Sequence, residues 1–341
     1  ANKHYFLAQY FRDQYNRAQR TPPTVLSPVN ITKVEVWITN KTGNTTDSRD
    51  VIGFADLAEY APYNPNFTRT RTDSLPSGFN NSTFPTQSNN LLATIPPGAR
   101  LSNSNDLLQF FQGSGSTDNF AKITYARKLT DREFTMHPQL GYISLNVQLN
   151  TDELLAVAYR YTYNGQEFQV GEFSTDVPFD QATPNVLFAK LLKNETTKPN
   201  LPIWDLMMKN IYNIGGYQIS NQNFKLDIFR IDETAGVERA VITEGARTTN
   251  KIWLQAVALD RLNQQKERKP DGVFDFEAQS SPFASSQSNI GTTNNPTFGT
   301  GTSATSLTNT ISGYVTIDPQ NGRIIFPLIE PFGKDLADKF S

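Results

Sequence analysis

Leu155-Ala156-Val157-Ala158-Tyr159-Arg160-Tyr161-Thr162-Tyr163-Asn164-Gly165-Gln166-Glu167-Phe168-Gln169-Val170 is the stretch that decides the fold class of this chain. Leu155, Val157, Tyr159, Tyr161 and Tyr163 share one face of an extended strand, and Ala156, Ala158, Arg160 and Thr162 share the other. Asn-Gly supplies two residues that tolerate positive φ in a type I′ turn, whose twist matches that of its flanking strands. A two-residue loop at Asn164-Gly165 sets Tyr163 opposite Gln166, Tyr161 opposite Phe168 and Tyr159 opposite Val170. The apolar faces then coincide. Each such pair contributes about 0.2–1 kcal/mol, so packing and turn specify the same register.

Just upstream stands a turn pattern that the chain writes twice. Thr135-Met136-His137-Pro138-Gln139-Leu140-Gly141-Tyr142-Ile143-Ser144-Leu145 returns as Thr316-Ile317-Asp318-Pro319-Gln320-Asn321-Gly322-Arg323-Ile324-Ile325-Phe326. Pro presets φ for the first corner, and Gly three residues later takes the left-handed conformation that closes a hairpin loop. His137 and Asp318 hold the position before the Pro, where either side chain accepts turn hydrogen bonds. What recurs is scaffold.

Around these hairpins the chain reads as mainly β (α+β): antiparallel hairpins and sandwich-like sheets, a few short amphipathic helices, and long loops rich in Asn, Ser and Thr. Leu7, Phe11, Tyr15 and Ala18 recur at helical spacing and predict a core-facing helix that Thr21-Pro22-Pro23 ends. From Ile31 the period becomes two. Val34, Val36 and Ile38 oppose Lys33, Glu35 and Trp37, predicting a half-buried strand, with Val51–Phe54 as its return. Ala55–Tyr60 and Asn105–Gln112 read as short helical segments. Trp204, Met207, Met208, Ile211 and Ile214 predict a helix from near Asn200 and Pro202 to Gly215-Gly216. Phe224, Leu226 and Ile228 alternate as a strand, while Ile252–Leu262 fits either helix or strand.

Tyr63–Asn90 reads as a long surface loop. Ala278–Thr310 contains no charged residue and has linker composition; the expectation is that it lies against a surface of this chain or of a larger assembly. The chain divides into 1–118, an N-terminal helix, β-ribbon and polar loop region, and 119–341, a β-rich region carrying the two related hairpins.

Composition removes several function classes. A chain of 341 residues buries a core without staples, and the absence of Cys excludes disulfides, thiol catalysis and Cys-ligated metals. Lys+Arg 31 against Asp+Glu 33 gives a net charge of −2, without the bulk attraction that nucleic acid or acidic lipid demands. No apolar run approaches the ~18 residues of a spanning helix, and the start lacks the zones of a signal peptide, so the stretch reads as soluble. Aromatic and Asn/Thr/Ser content resembles that of extracytoplasmic β-proteins.

Chemical motifs are sparse. His4 and His137 are the only histidines, with no HExxH and no Gly-x-Ser-x-Gly elbow. Gly299-x-Gly301 with Ala304 matches a dinucleotide fingerprint but lies in the uncharged tract without strand or helix context. The strongest acidic cluster is Asp271-Gly272-Val273-Phe274-Asp275-Phe276-Glu277, with Asp260 upstream. Asp271, Asp275 and Glu277 form a weak calcium candidate, and Asp275 with Glu277 a weak glycosidase pair. The bland reading is a turn at Asp271-Gly272 followed by the solvated face of an edge strand. Asn30, Asn44, Asn66, Asn81 and Asn194 open Asn-x-Ser/Thr triplets that a chain this rich in Asn and Thr produces by chance. No catalytic residue, metal or cofactor is assigned.

An ordered set of segments resembles the SprA/Sov family, giant outer-membrane proteins of gliding motility and type IX secretion in Bacteroidota. The set comprises His4–Asp13, Val34–Asn40, Phe54–Glu59, Leu140–Asn146, Leu155–Tyr159, Val170–Ser174, Leu259–Asn263, Asp271–Phe276 and Asn321–Gly333. It spans nearly the whole chain. The resemblance implies one soluble insertion of a very large β-barrel translocon, because strands with lipid-facing bands and aromatic girdles are missing here. It further implies a non-enzymatic scaffold or cap on the outer membrane, on the extracellular side rather than the periplasmic. Its partners would be the rest of the barrel, other secretion-system subunits and secreted cargo, with no nucleic acid and no membrane span, and Tyr63–Asn90 and Ala278–Thr310 as contact loops. The alternatives are an extracellular carbohydrate-binding or adhesive module with Trp37, Tyr63 and Phe67 lining a groove, and a hydrolase using Asp275 and Glu277.

Overall fold

The computed structural model describes residues 3–41, 43, 48–57, 92, 95–101, 106–107, 120–178, 185–196, 198–199, 201–231, 236–245, 247–279, 311 and 313–340. The molecule is mainly β, with antiparallel sheets and few helices. In chain order the strands are β1 (His4–Phe6), β2 (Val29–Ile38), β3 (Arg49–Phe54), β4 (Phe120–Lys128), β5 (Phe134–His137), β6 (Tyr142–Leu145) and β7 (Leu155–Tyr163). They continue with β8 (Gln166–Val170), β9 (Leu187–Lys193), β10 (Ile211–Asn213), β11 (Arg230–Ile231), β12 (Glu238–Arg239), β13 (Ile317–Asp318) and β14 (Arg323–Ile325). The α-helices are α1 (Gln9–Ala18), α2 (Trp253–Ala256) and α3 (Lys334–Phe340).

The largest sheet runs β2-β4-β3-β9-β7-β8, and β2 also pairs with β7, so five of its strands close into a small barrel. Where sandwich-like sheets were expected, the sheet curls back on itself, so that each of the five ring strands is paired on both sides and β8 remains as an edge on β7. β7 makes the closure possible. One of its edges pairs with β2 throughout, while the other pairs with β9 over Leu155–Val157 and with β8 over Tyr159–Tyr163. The β7–β8 register is the one read from the sequence, Tyr159 opposite Val170, Tyr161 opposite Phe168 and Tyr163 opposite Gln166. Asn164 and Gly165 both take positive φ, at 50° and 77°. Tyr161 stacks on Phe168 with ring centroids 5.5 Å apart.

Helix α1 forms as its periodicity predicts, burying Phe11, Tyr15 and Ala18, with Leu7 just before it. Its polar face is occupied as well: Asn16 Nδ2 donates to Asp335 Oδ1 at 2.8 Å and Asn16 Oδ1 accepts from the Ile329 amide at 2.9 Å. The helix thereby clasps the C-terminal segment. β2 departs from the half-buried expectation, because Val36, Trp37 and Ile38 are all buried and Glu35 with them. The barrel core takes one face; on the other, the Glu35 carboxylate accepts from the Ser174 amide at 2.8 Å and from its hydroxyl at 2.9 Å. Since β4 pairs with β2 and β3, the division at residue 118 marks a change in sequence texture and does not separate the sheet.

The helix expected from Pro202 to Gly215 is replaced by a single 3-10 turn, Pro202–Leu206, and the extended strand β10. Burial there alternates, with Leu206, Met208 and Asn210 inside and Lys209 outside, a period of two that the apolar spacing equally allowed. Pairing decides the outcome. The Asn210 carbonyl accepts from the Phe326 amide at 2.9 Å and Asn210 Nδ2 donates to the Phe326 carbonyl at 2.8 Å, so tertiary bonds override local periodicity. Phe224, Leu226 and Ile228 do face one core together, but only Arg230–Ile231 finds a ladder partner. Ile252–Leu262 resolves into the single helical turn of α2, a turn at Val257-Ala258 and irregular chain beyond it. Ala55–Leu57 is not helical; 58–60 lie outside the described residues, as do all of Asn105–Gln112 except Asp106 and Leu107.

Both Pro-Gln-x-Gly segments form hairpins, each supplying the central strand and one edge of a three-stranded sheet: β1-β6-β5 and β10-β14-β13. The first belongs to the main core with the barrel and α1. The second covers a smaller core of Leu254, Val257, Leu259, Phe274, Ile317, Ile324 and Phe326.

Candidate functional site

The acidic cluster is drawn together by the fold but is spent on the chain's own backbone. Asp275 is buried; one carboxylate oxygen accepts from the Arg261 amide at 2.8 Å and the other from the Leu262 amide at 3.1 Å. Burial pushes its pKa up to about 6, against those two amides and with help from the Asp260 and Glu277 charges. Asp260, also buried, accepts from the amides of Asp271 and Gly272, both at 3.0 Å, and from Gln255 Nε2 at 2.9 Å. Asp271 closes an Asx turn onto the Val273 amide at 3.1 Å, and Glu277 is paired with Lys266. These acids tie the segment at Asp260–Leu262 to the one at Asp271–Asp275. Among the described residues no group of three or more His, Asp or Glu is arranged to hold a metal ion. The edge-strand reading needs adjusting too, because Asp275 is an internal acceptor and not part of a solvated face.

The histidines are turn and sheet fixtures. His137 Nδ1 accepts from the Leu140 amide at 3.2 Å while Nε2–H donates to the Gly313 carbonyl at 2.8 Å, which fixes one neutral tautomer. Burial lowers its pKa to about 4. His4 Nδ1 bonds the Ser144 hydroxyl at 2.8 Å, and burial, reinforced by Arg323, lowers its pKa to about 3. Trp37 is buried and so cannot line a sugar-binding groove, while Tyr63 and Phe67 lie outside the described residues. So do Gly299, Gly301, Ala304, Asn44, Asn66 and Asn81, the loop Tyr63–Asn90, and Ala278–Thr310 beyond Gln279.

The sequence repeat proves deeper than its hairpin. In the first sheet the Leu145 amide donates to the Lys3 carbonyl at 2.7 Å and the Leu7 amide to the Gly141 carbonyl at 2.9 Å. In the second, Phe326 donates to Asn210 and Ile214 to Gly322, each at 2.9 Å. The Pro138 carbonyl accepts from Ile31 at 3.0 Å as the Pro319 carbonyl accepts from Ile219 at 2.9 Å. Asp318 Oδ1 accepts from the Asn321 amide at 3.2 Å, the bond His137 makes to Leu140. On the far edges, Met136 accepts from Ile311 at 2.7 Å and Ile317 from Gln279 at 2.8 Å, so the two ends of the uncharged tract meet corresponding positions.

Sequence reading missed the third strand of each sheet, although a signal was present. Tyr5-Phe6-Leu7-Ala8-Gln9-Tyr10 and Tyr212-Asn213-Ile214-Gly215-Gly216-Tyr217 share a frame of Tyr-x-aliphatic-small-x-Tyr. The shared frame ends in opposite environments. Tyr5 and Leu7 are 1% and 0% exposed, whereas Tyr212 and Ile214 are 41% and 39% exposed. Tyr212 stands edge-on to Phe326 at 5.3 Å and to the exposed Phe332 at 5.5 Å, forming an aromatic patch beside β10.

Among the described residues no helix is long and apolar enough to cross a membrane. Compared with known proteins, the chain matches no protein-family model and no curated protein.

Proposed function

We propose that this chain is a non-enzymatic scaffold from the soluble part of an outer-membrane translocon for type IX secretion. It would act by position, holding surfaces for partner subunits or passing cargo at the extracellular face of a very large barrel. The observation that carries the non-enzymatic part is the commitment of Asp275: both of its carboxylate oxygens hold backbone amides, its neighbours Asp260 and Asp271 also accept backbone amides, and Glu277 is paired with Lys266. Both oxygens of this carboxylate are aimed at the chain's own amides, so its orientation is set by the backbone rather than by a substrate.

The secretion part is supported by the family resemblance, whose segments run through the framework. His4–Asp13 supplies β1 and the start of α1, Leu140–Asn146 supplies β6, Leu155–Tyr159 the closing half of β7, and Asn321–Gly333 supplies β14 and the segment clasped by α1. Deleting Ala278–Thr310 in the native protein, with folding verified by circular dichroism, is expected to reduce export of type IX cargo. Unchanged export from such a strain would count against a working contact loop.

A further inference from the structure

We propose that the outer edge of β10 is a strand-addition site: it takes an extended, apolar segment of a partner polypeptide, paired antiparallel and packed on Tyr212 and Phe332. The argument comes from the internal duplication and stands apart from the secretion reading.

The first sheet shows its corresponding edge filled. Met207 bridges Tyr5 antiparallel, and the Met208 amide donates to the His4 carbonyl at 2.9 Å. There the chain's own Met207-Met208, just after the 3-10 turn, lies antiparallel beside β1, and Tyr5 is buried. By the shared register, His4 corresponds to Ile211 and Tyr5 to Tyr212. Among the described residues no backbone amide donates to the Ile211 carbonyl, and Tyr212 lies open. Among the described residues, the same sheet edge is therefore seen once occupied and once bare.

The bare edge has what strand addition requires. Tyr212 exchanges its backbone bonds with β14, which turns the amide and carbonyl groups of Ile211 and Asn213 outward. Main-chain groups of that kind give affinity, and side-chain pockets on alternate positions give specificity. Tyr212 and Phe332 supply exposed aromatic surface at this edge. A partner segment with aliphatic or Met side chains at alternate positions fits, because Met207 is what covers Tyr5 in the filled copy.

The probe is a fluorescent synthetic peptide copying Ile203–Asn210 of this chain, which contains the Met207-Met208 pair that occupies the first edge, added to the 341-residue protein. It is expected to bind with protection of the Ile211 and Asn213 amides from hydrogen exchange. Tyr212→Ala should weaken binding at least about tenfold, and Asn213→Pro should abolish it, because Pro removes an outward amide at an exposed edge position that tolerates it. Tyr125→Ala, exposed elsewhere, serves as the control and should bind like the parent. Absence of binding, or binding that survives Asn213→Pro in a variant with parental circular dichroism, overturns the inference. Neither result touches the secretion reading, which is judged on cargo export.

Discussion

Gly322 packs directly on the backbone of Gly216: a Cβ built on Gly322 would stand 1.8 Å from the Gly216 carbonyl oxygen. Its counterpart Gly141 meets the Phe11 ring, with a Cβ at 2.1 Å from the nearest carbons. Both glycines have positive φ, 59° and 62°, so the repeated turn needs glycine for conformation and for space.

Gly322→Val should therefore cost more than the ~1 kcal/mol of a glycine replaced in an ordinary turn. We expect roughly 3 kcal/mol or more, since backbone strain and a clash with rigid backbone act together. Urea denaturation of variant and parent measures it. Gly165→Ala, where φ is also positive but the space is open, should cost less, and equal losses at the two sites would refute the close-packing argument.

The two histidines predict a loss of stability in acid. Each is neutral and buried, with its pKa lowered to about 4 for His137 and about 3 for His4. The unfolded chain, titrating near the ordinary value of about 6.5, binds more protons below that pH, so the contribution present above about 6.5 is lost progressively as pH falls. His137→Asn, which keeps an acceptor for the Leu140 amide, should flatten the urea midpoint between pH 6.5 and 4. Asp275 acts oppositely: its raised pKa gives a contribution present below about 4 and lost as pH rises past about 6. Asp275→Asn should then steepen the acid loss, and a shallower profile would refute this assignment.

Asp275→Ala should destabilise the second core by about 2–4 kcal/mol, because the amides of Arg261 and Leu262 lose their acceptors in a buried place. Addition of EDTA to the parent protein should leave its melting temperature unchanged. A drop of several degrees with EDTA would revive the calcium reading of Asp271, Asp275 and Glu277.

Glu172 makes a comparable anchor on the barrel. It holds Arg100 in a bidentate pair at 2.5 and 2.8 Å and accepts the Phe188 amide at 3.0 Å. Glu172→Ala should cost about 2–4 kcal/mol by leaving a part-buried guanidinium and an amide unpaired. Calorimetry that finds less than about 0.5 kcal/mol would place the pair among surface bridges of little worth.

Local rules made much of this molecule legible. The β7–β8 register, the buried stripe of α1 and both Pro-Gln-x-Gly turns depend on residues close in sequence, and each forms as read. Ile211–Ile214 failed because its spacing suits a helix and a strand alike, and only Phe326, distant in the chain, decides between them. Barrel closure was hidden for the same reason, since it depends on β2 meeting β7. The turn at Asp271-Gly272 was legible, whereas the inward direction of Asp275 follows from where Arg261 and Leu262 present their amides. The bare edge of β10 needed the comparison of Tyr212 with Tyr5, which no periodicity supplies.

The translocon reading is tested most directly by the size and location of the polypeptide that carries these residues in its native cell. Mass spectrometry of detergent-solubilised outer membranes should find peptides of this chain, such as that spanning Tyr212–Tyr217, within one very large barrel-forming polypeptide. Recovery of those peptides only from a small protein in the soluble fraction would contradict the account.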